Sequence, residues 1–177
     1  MSGGNPVAFW KGVGMDIRPV RQREALTVAR VHVQADGETY RPLFGPRFRE
    51  VALADSLARW ERALALGDVF LAATDEGRVV GLAHASGVWM SALYLLASHR
   101  RRGIGARLLI MLCEAVRLRG VGDIGFACVS TNADAIAFYE TLGARQAGRR
   151  SMGEGEEIWE DILFTLDTSA PAAFRRG

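Results

Sequence analysis

Leu93-Tyr-Leu-Leu-Ala-Ser-His-Arg-Arg-Arg-Gly-Ile-Gly-Ala-Arg-Leu-Leu109 runs from an apolar segment through three arginines and two glycines into a helical pattern, and reads as strand, loop, helix. Gly103 and Gly105 allow a sharp turn, so that successive N–H groups at the start of the helix can face one anion. Arg100, Arg101 and Arg102 add positive charge beside that turn, which suits a phosphorylated ligand better than a neutral one. Two familiar phosphate-binding patterns are excluded. A dinucleotide fingerprint wants a third glycine where Leu108 stands, and a P-loop wants a lysine that does not follow Gly105. Taken alone, the stretch also fits a helix that starts after a tight basic turn.

Upstream, 69–74 and 79–86 read as strands joined by Asp75-Glu-Gly-Arg78, with Gly77 at a left-handed turn position, and Gly87 turns the chain into a third antiparallel strand, 89–96. Downstream, the helix 105–119 carries Leu108, Leu109, Leu112, Ala115 and Val116 on one stripe and ends at Gly120 and Gly122. The strand 124–129 must run parallel to 89–96, because a helix crosses between them. A helix over 132–142 is stopped by Gly143, and 144–148 and 158–166 read as strands around a hairpin region, 149–157. At the other end, 17–20 reads as a short strand, 22–34 as a helix, and 36–46 as a loop or short helix broken by Pro42 and Pro46. A further helix over 53–66 is closed by Gly67. The order β-α-α-β-β-β-α-β-α-β-β is mixed α/β of the α+β type, a mostly antiparallel central sheet flanked by helices. Residues 15–166 are expected to form one domain, with 1–14 a loose extension and 167–177 a frayed tail.

At 177 residues, 49% hydrophobic and 24% charged, the chain can build a sizeable core. Its formal charge of +2 makes no general case for nucleic acid or a membrane surface as partner, and the arginine run is too short to make one. No apolar run has the length that spans a bilayer, and 1–14 lacks a signal peptide's apolar core. Cys113 and Cys128 lie outside any C-x-x-C spacing and inside apolar segments, as expected of small buried hydrophobes in a reducing cytoplasm. His32, His84 and His99 make no ligand pattern, so no metal is expected.

The loop pattern Arg100, Gly103, Gly105 resembles the [Q/R]-x-x-G-x-[G/A] pyrophosphate loop of the GNAT superfamily of N-acyltransferases. A second block strengthens the likeness. Asn132, Ala135, Phe138, Tyr139, Glu140 and Gly143 match N-x-x-A-x-x-F-Y-E-x-x-G-F, with Ala144 where Phe is usual. The resemblance implies the GNAT fold and transfer of an acetyl group from acetyl-CoA to a primary amine of a small molecule or peptide. It also implies, in such proteins, that the strands corresponding to 89–96 and 124–129 part, with the pantetheine arm lying in the gap as an added strand. On that basis the amides of Arg101, Arg102, Gly103, Ile104 and Gly105 would hold pyrophosphate beside Arg100. The N–H groups near Leu95 and Leu96 would polarise the thioester carbonyl. Asn132 would contact the ligand or cap its helix, and His99 and Arg102 would touch phosphate or adenosine, or face water.

Tyr139 occupies the position of the family's usual general acid. A phenol near pKa ~10 gives a proton to a thiolate near ~8.5 only mildly uphill. The nucleophile's side is less defined. A lysine-like amine near ~10.4 costs about 4 to 5 kcal/mol to deprotonate at pH 7, and the glutamate that many members carry on the strand before the loop is missing from Trp89-Met-Ser-Ala-Leu-Tyr94. Glu38 and His84 stand as candidate bases. Tyr40, Phe44, Trp89 and Met90 are candidates to line an acceptor pocket or to serve as ordinary core. Direct transfer in a ternary complex is expected, with Cys128 the one residue placed to suggest a covalent route. An acyl-CoA sensor without turnover is the alternative, and a homodimer is compatible with the resemblance.

Overall fold

Among the described residues the alternating and striped segments assemble into one eight-stranded sheet in the order β1-β2-β3-β4-β5-β6-β8-β7. A computed structural model describes residues 10–11, 14–154 and 158–171. Strands β1 (Trp10–Lys11), β2 (Met15–Pro19), β3 (Val69–Asp75), β4 (Arg78–Ser86) and β5 (Trp89–Leu95) lie antiparallel in succession. The crossover through α3 (Ile104–Arg117) brings β6 (Asp123–Val129) parallel to β5; β8 (Trp159–Asp167) and β7 (Arg145–Met152) then extend the sheet antiparallel.

Each strand of the centre feeds both faces, because side chains alternate along it. Phe70, Ala72, Leu82 and Ala92 pack under α1 (Ala25–Phe44) and α2 (Leu53–Leu66), around the fully buried Trp60. Val69, Leu71, Ala73, Val80 and Ala83 pack under the leucine stripe of α3, and that core continues through Phe126 and Phe164 to Tyr139 and Leu142 at α4 (Ala133–Thr141). The β3–β4 turn has Glu76 at φ 48° and Gly77 at φ 80°, the paired left-handed conformation that follows the twist of a hairpin.

One junction in the sheet is incomplete. Among the described residues β5 and β6 pair only at Trp89 and Gly125, whose N–H donates to the Val88 carbonyl at 2.8 Å. A side chain at Gly125 would stand 3.0 Å from the Trp89 ring, so the closure depends on its bareness. Beyond this point the strands separate towards their C-terminal ends.

The structure corrects three expectations. Helix α1 runs through 36–44 to Phe44, where a broken segment was expected, because Pro42 falls in its last turn and Gly45 at φ 54° ends it soon after. Trp10 and Lys11 are not loose: they pair with Ile17 and Asp16, and Arg107 lies over the Trp10 ring at 4.3 Å. The remainder of the proposed extension, 1–9 and 12–13, is outside the described residues. The expected frayed tail is ordered through residue 171. Thr168 is buried and its Oγ1 donates to the carbonyls of Val121 and Gly122, each at 3.0 Å, while 172–177 lie outside the described residues.

Candidate active site

The basic loop joins the end of β5 to α3. Arg101 at φ 61° and Gly103 at φ 76° both take left-handed conformations, and Gly103 caps α3. Among the described residues the N–H groups of 101–105 donate to no protein acceptor. The first amides of a helix have no partner within it, so this run is equipped for an anion. The arginines divide their work. Arg100 turns inward, with Nε on the Leu95 carbonyl and Nη2 on Thr39 Oγ1, both at 3.0 Å. Arg101 and Arg102 are exposed, Arg102 standing 3.7 Å from Asp75. Ile104 is buried, and Gly105 lies against the Phe138 ring.

The loop is pinned from both sides. His99 reaches Asp75 on the β3–β4 hairpin at 3.2 Å, and Glu38 on α1 accepts the Ala97 N–H at 2.6 Å while sitting 3.8 Å from Arg100. Glu38, a candidate base in the sequence, is therefore an anchor of the loop. His84, the other candidate, is held between Asp68 at 3.0 Å and Ser91 at 2.6 Å, with its ring edge-on to Trp60 and Phe70. Burial lowers its pKa despite Asp68, which suits a neutral strut between strands.

Leu95 ends β5 at the parting of the sheet, and Leu96 follows it. The Leu96 N–H donates to the Val80 carbonyl at 2.9 Å, so it belongs to the β4 ladder, and the expectation that it polarises a ligand carbonyl is corrected. Successive residues of a strand turn their N–H groups to opposite edges, which leaves that of Leu95 facing the gap.

Beside the gap lies a cavity of about 630 Å³, walled by Tyr40, Phe44, Trp89 and Met90 as well as Tyr94 and Trp159. Its floor includes Ala127 and Val129 of β6, and Arg47, Arg49 and Arg59 stand at its rim. Two carboxylates reach it, Asp36 and Asp161. Asp161 accepts from Arg150 and from the Trp159 indole N–H, whereas among the described residues Asp36 accepts one bond, from the Tyr94 hydroxyl at 3.1 Å. Sequence reasoning missed Asp36 and Tyr94. The available signal was the run His32, Asp36, Tyr40, Phe44, spaced four apart on one helical face, but the glycine and prolines nearby concealed that helix.

Tyr139 is 9% exposed, with its ring 4.5 Å from that of Phe126 and 5.2 Å from that of Phe138. Burial raises its pKa far above that of an ordinary phenol, with further contributions from Cys128 and Tyr40, so it keeps its proton at neutral pH. Cys128 is pushed up to about 11 by burial and then by Asp161; it remains a thiol and is a weak nucleophile. Asn132 caps α4, its Oδ1 accepting the Ala135 N–H at 3.2 Å, and Glu140 accepts from Gln146 on the surface. Among the described residues no group of side chains could hold a metal, and no helix is long and apolar enough to cross a membrane.

Solved structures share this architecture. A putative acetyltransferase, YncA, from Salmonella typhimurium with acetyl-CoA is similar at TM-score 0.67 and 21% identity, covering 88% of this chain and 94% of that one. PaiA N-acetyltransferase from Thermoplasma acidophilum, in complex with coenzyme A, aligns at TM-score 0.69 and 16% identity, over 86% and 98%. A ribosomal-protein-alanine N-acetyltransferase from Brucella melitensis gives TM-score 0.70 and 21% identity, over 85% and 98%. No curated protein sequence matches significantly. The model of the acetyltransferase (GNAT) family matches residues 37–144, from the inner half of α1 through the basic loop to the end of α4. With more than half its length matched by that model, the chain belongs to the acetyltransferase (GNAT) family.

Proposed function

We propose that this protein transfers an acetyl group from acetyl-CoA to a primary amine of a small molecule or peptide, by direct attack in a ternary complex. The carrying observation is that the open amides of 101–105 follow closely on the end of β5, whose edge is unpaired towards β6 and whose residues Trp89, Met90 and Tyr94 line the aromatic cavity. In this reading the loop amides and Arg101 and Arg102 hold the pyrophosphate, and the free edge of β5 pairs with the amide-bearing arm. Leu95 N–H polarises the thioester carbonyl. Arg100 shapes the loop from behind, and Asn132 holds the first turn of α4 in place for Tyr139. The acceptor amine enters the cavity.

Tyr139 donates its proton to the departing sulfur. Burial keeps it protonated across the working pH range and makes the transfer more uphill than for a free phenol, so the donor site must favour the phenolate transiently, while the buried Cys128 thiol favours direct transfer over an acyl-enzyme. The first test is thermal unfolding with and without acetyl-CoA, then with free CoA. Ligand at about a hundred times its dissociation constant adds roughly 2.7 kcal/mol, so both should raise the midpoint clearly. An unchanged midpoint with both would remove the donor site and every role built on it.

A further inference from the structure

The acceptor must lose a proton before it can attack, and the two residues the sequence offered for that task are committed elsewhere: Glu38 to the loop, His84 to its strands. Of the two carboxylates in the cavity, Asp161 has both oxygens occupied, Oδ2 by Arg150 and Oδ1 by Trp159. Asp36 differs. Its Oδ1 accepts the Tyr94 hydroxyl at 3.1 Å, and among the described residues its Oδ2 takes no protein hydrogen bond. It is 7% exposed, and it lines the cavity from the inner face of α1. Tyr94 immediately precedes Leu95, the residue whose N–H faces the gap, so carboxylate and carbonyl-polarising amide are linked through one hydrogen bond and one peptide unit.

From this placement, and resting on the transferase reading above, we infer that Asp36 is the general base of the reaction and that Tyr94 positions it. Asp36 Oδ2 takes one proton from the incoming ammonium. The electron pair so released forms the N–C bond to the acetyl carbon, the C–S bond breaks, and sulfur takes the Tyr139 proton. The second nitrogen proton, shed as the amide forms, restores Tyr139, and Asp36 returns its proton to solvent. The sum is one ammonium and one thioester giving one amide, one thiol and one proton.

The surrounding groups suit this role. Burial raises the Asp36 pKa above the ordinary carboxylate value, while the Tyr94 hydrogen bond and the Arg59 charge restrain the rise. Of the other titratable groups, Tyr40 on α1, Tyr94 on β5 and Asp161 on β8 line the same cavity, while His32 on α1 lies against the Tyr94 ring and Cys128 on β6 interacts with Tyr40. Tyr40 and Cys128 are pushed up to about 12 and about 11, chiefly by burial, so they stay neutral. Burial lowers His32 to about 4, and its Nδ1 lies 2.8 Å from Ser56 Oγ. Asp36 is thus the carboxylate left to accept a proton.

The test is Asp36→Asn, which keeps an acceptor for Tyr94 and removes the base. Phenethylamine, tyramine, lysine and an alanyl tripeptide are offered with acetyl-CoA from pH 6 to 10, and the amine that wild type acetylates fastest is followed. The variant should lose about 10²- to 10⁴-fold in kcat/KM at pH 7, and the deficit should shrink about tenfold per pH unit as free amine becomes available. The midpoint shift with acetyl-CoA should persist. A loss that is the same at every pH, or one below about threefold at pH 7, would overturn the assignment and leave the transferase reading intact. If wild type acetylates none of these amines, both readings fall, whereas the donor site stands or falls by the midpoint shift alone. Should Asp36→Asn fail to fold, Tyr94→Phe is read in its place: a smaller deficit that closes with rising pH supports the inference, and a pH-independent one refutes it.

Discussion

Tyr139 has an unusual pair of properties, a ring clamped among Phe126, Phe138 and Phe164 and a hydroxyl that makes no hydrogen bond to the described residues. Removing that hydroxyl should therefore leave packing nearly unchanged. Tyr139→Phe is expected to fold with a midpoint close to wild type and to retain its shift with acetyl-CoA, while steady-state turnover drops about 10²- to 10⁴-fold. Turnover within threefold of wild type would remove the general-acid role. At this scale the sequence was legible where a residue sits in a spaced pattern: the neighbours of Gly103 in the chain placed it at the start of a helix, and those of Tyr139 placed it on the buried side of another. Asp36 was not legible, because its significance comes from Tyr94, fifty-eight positions away, and no local pattern contains that hydrogen bond. Arg100 combines the two cases. The motif marked it as a ligand contact, and no local pattern announced that its guanidinium also reaches Leu95 and Thr39.

At the scale of elements, β5 must lie close to β4 for the loop to start at the right place, and Gly81 permits this. A side chain there would meet the Tyr94 carbonyl at 2.8 Å and Leu95 Cδ1 at 2.7 Å. The carbonyl is backbone and cannot swing aside, so Gly81→Ala should displace the end of β5. Overpacking of this kind destabilises by about 1–3 kcal/mol, to be read as a lower urea midpoint, and acetyl-CoA affinity should fall with it. An unchanged urea midpoint would show that β5 yields without strain. Most elements were readable in advance because their punctuation is local: Gly67 ends α2 in a left-handed conformation, and Glu76 and Gly77 make the hairpin. Helix α1 was misread at Pro42. A proline in a last turn forfeits the bond to one carbonyl, a small loss beside the burial of the inward face that holds His32, Ala35 and Asp36.

For the whole molecule, the two buried histidines set a pH limit. His32 is lowered to about 4 by burial and then by Arg59, and His84 is lowered as well. An unfolded histidine takes a proton near pH 6.5, whereas folded His32 resists until about pH 4. The unfolded state therefore binds more protons in that window, and stability falls as the pH drops from about 6.5 towards 4, by up to about 3 kcal/mol for His32. Urea denaturation from pH 7 to 5 should show this decline, and His32→Gln should flatten it; parallel slopes for variant and wild type would disprove the contribution.

The single pairing of Trp89 with Gly125 bears on the mechanics of the sheet. A continuous ladder transmits force from strand to strand, but here the load path narrows to one residue pair before it reaches β6, β8 and β7. With the donor seated as proposed, its amide-bearing arm bridges the gap, and the substrate becomes a temporary structural member. Each catalytic cycle then alternates a compliant sheet with a stiff one, and the spent carrier departs by unfastening a strand.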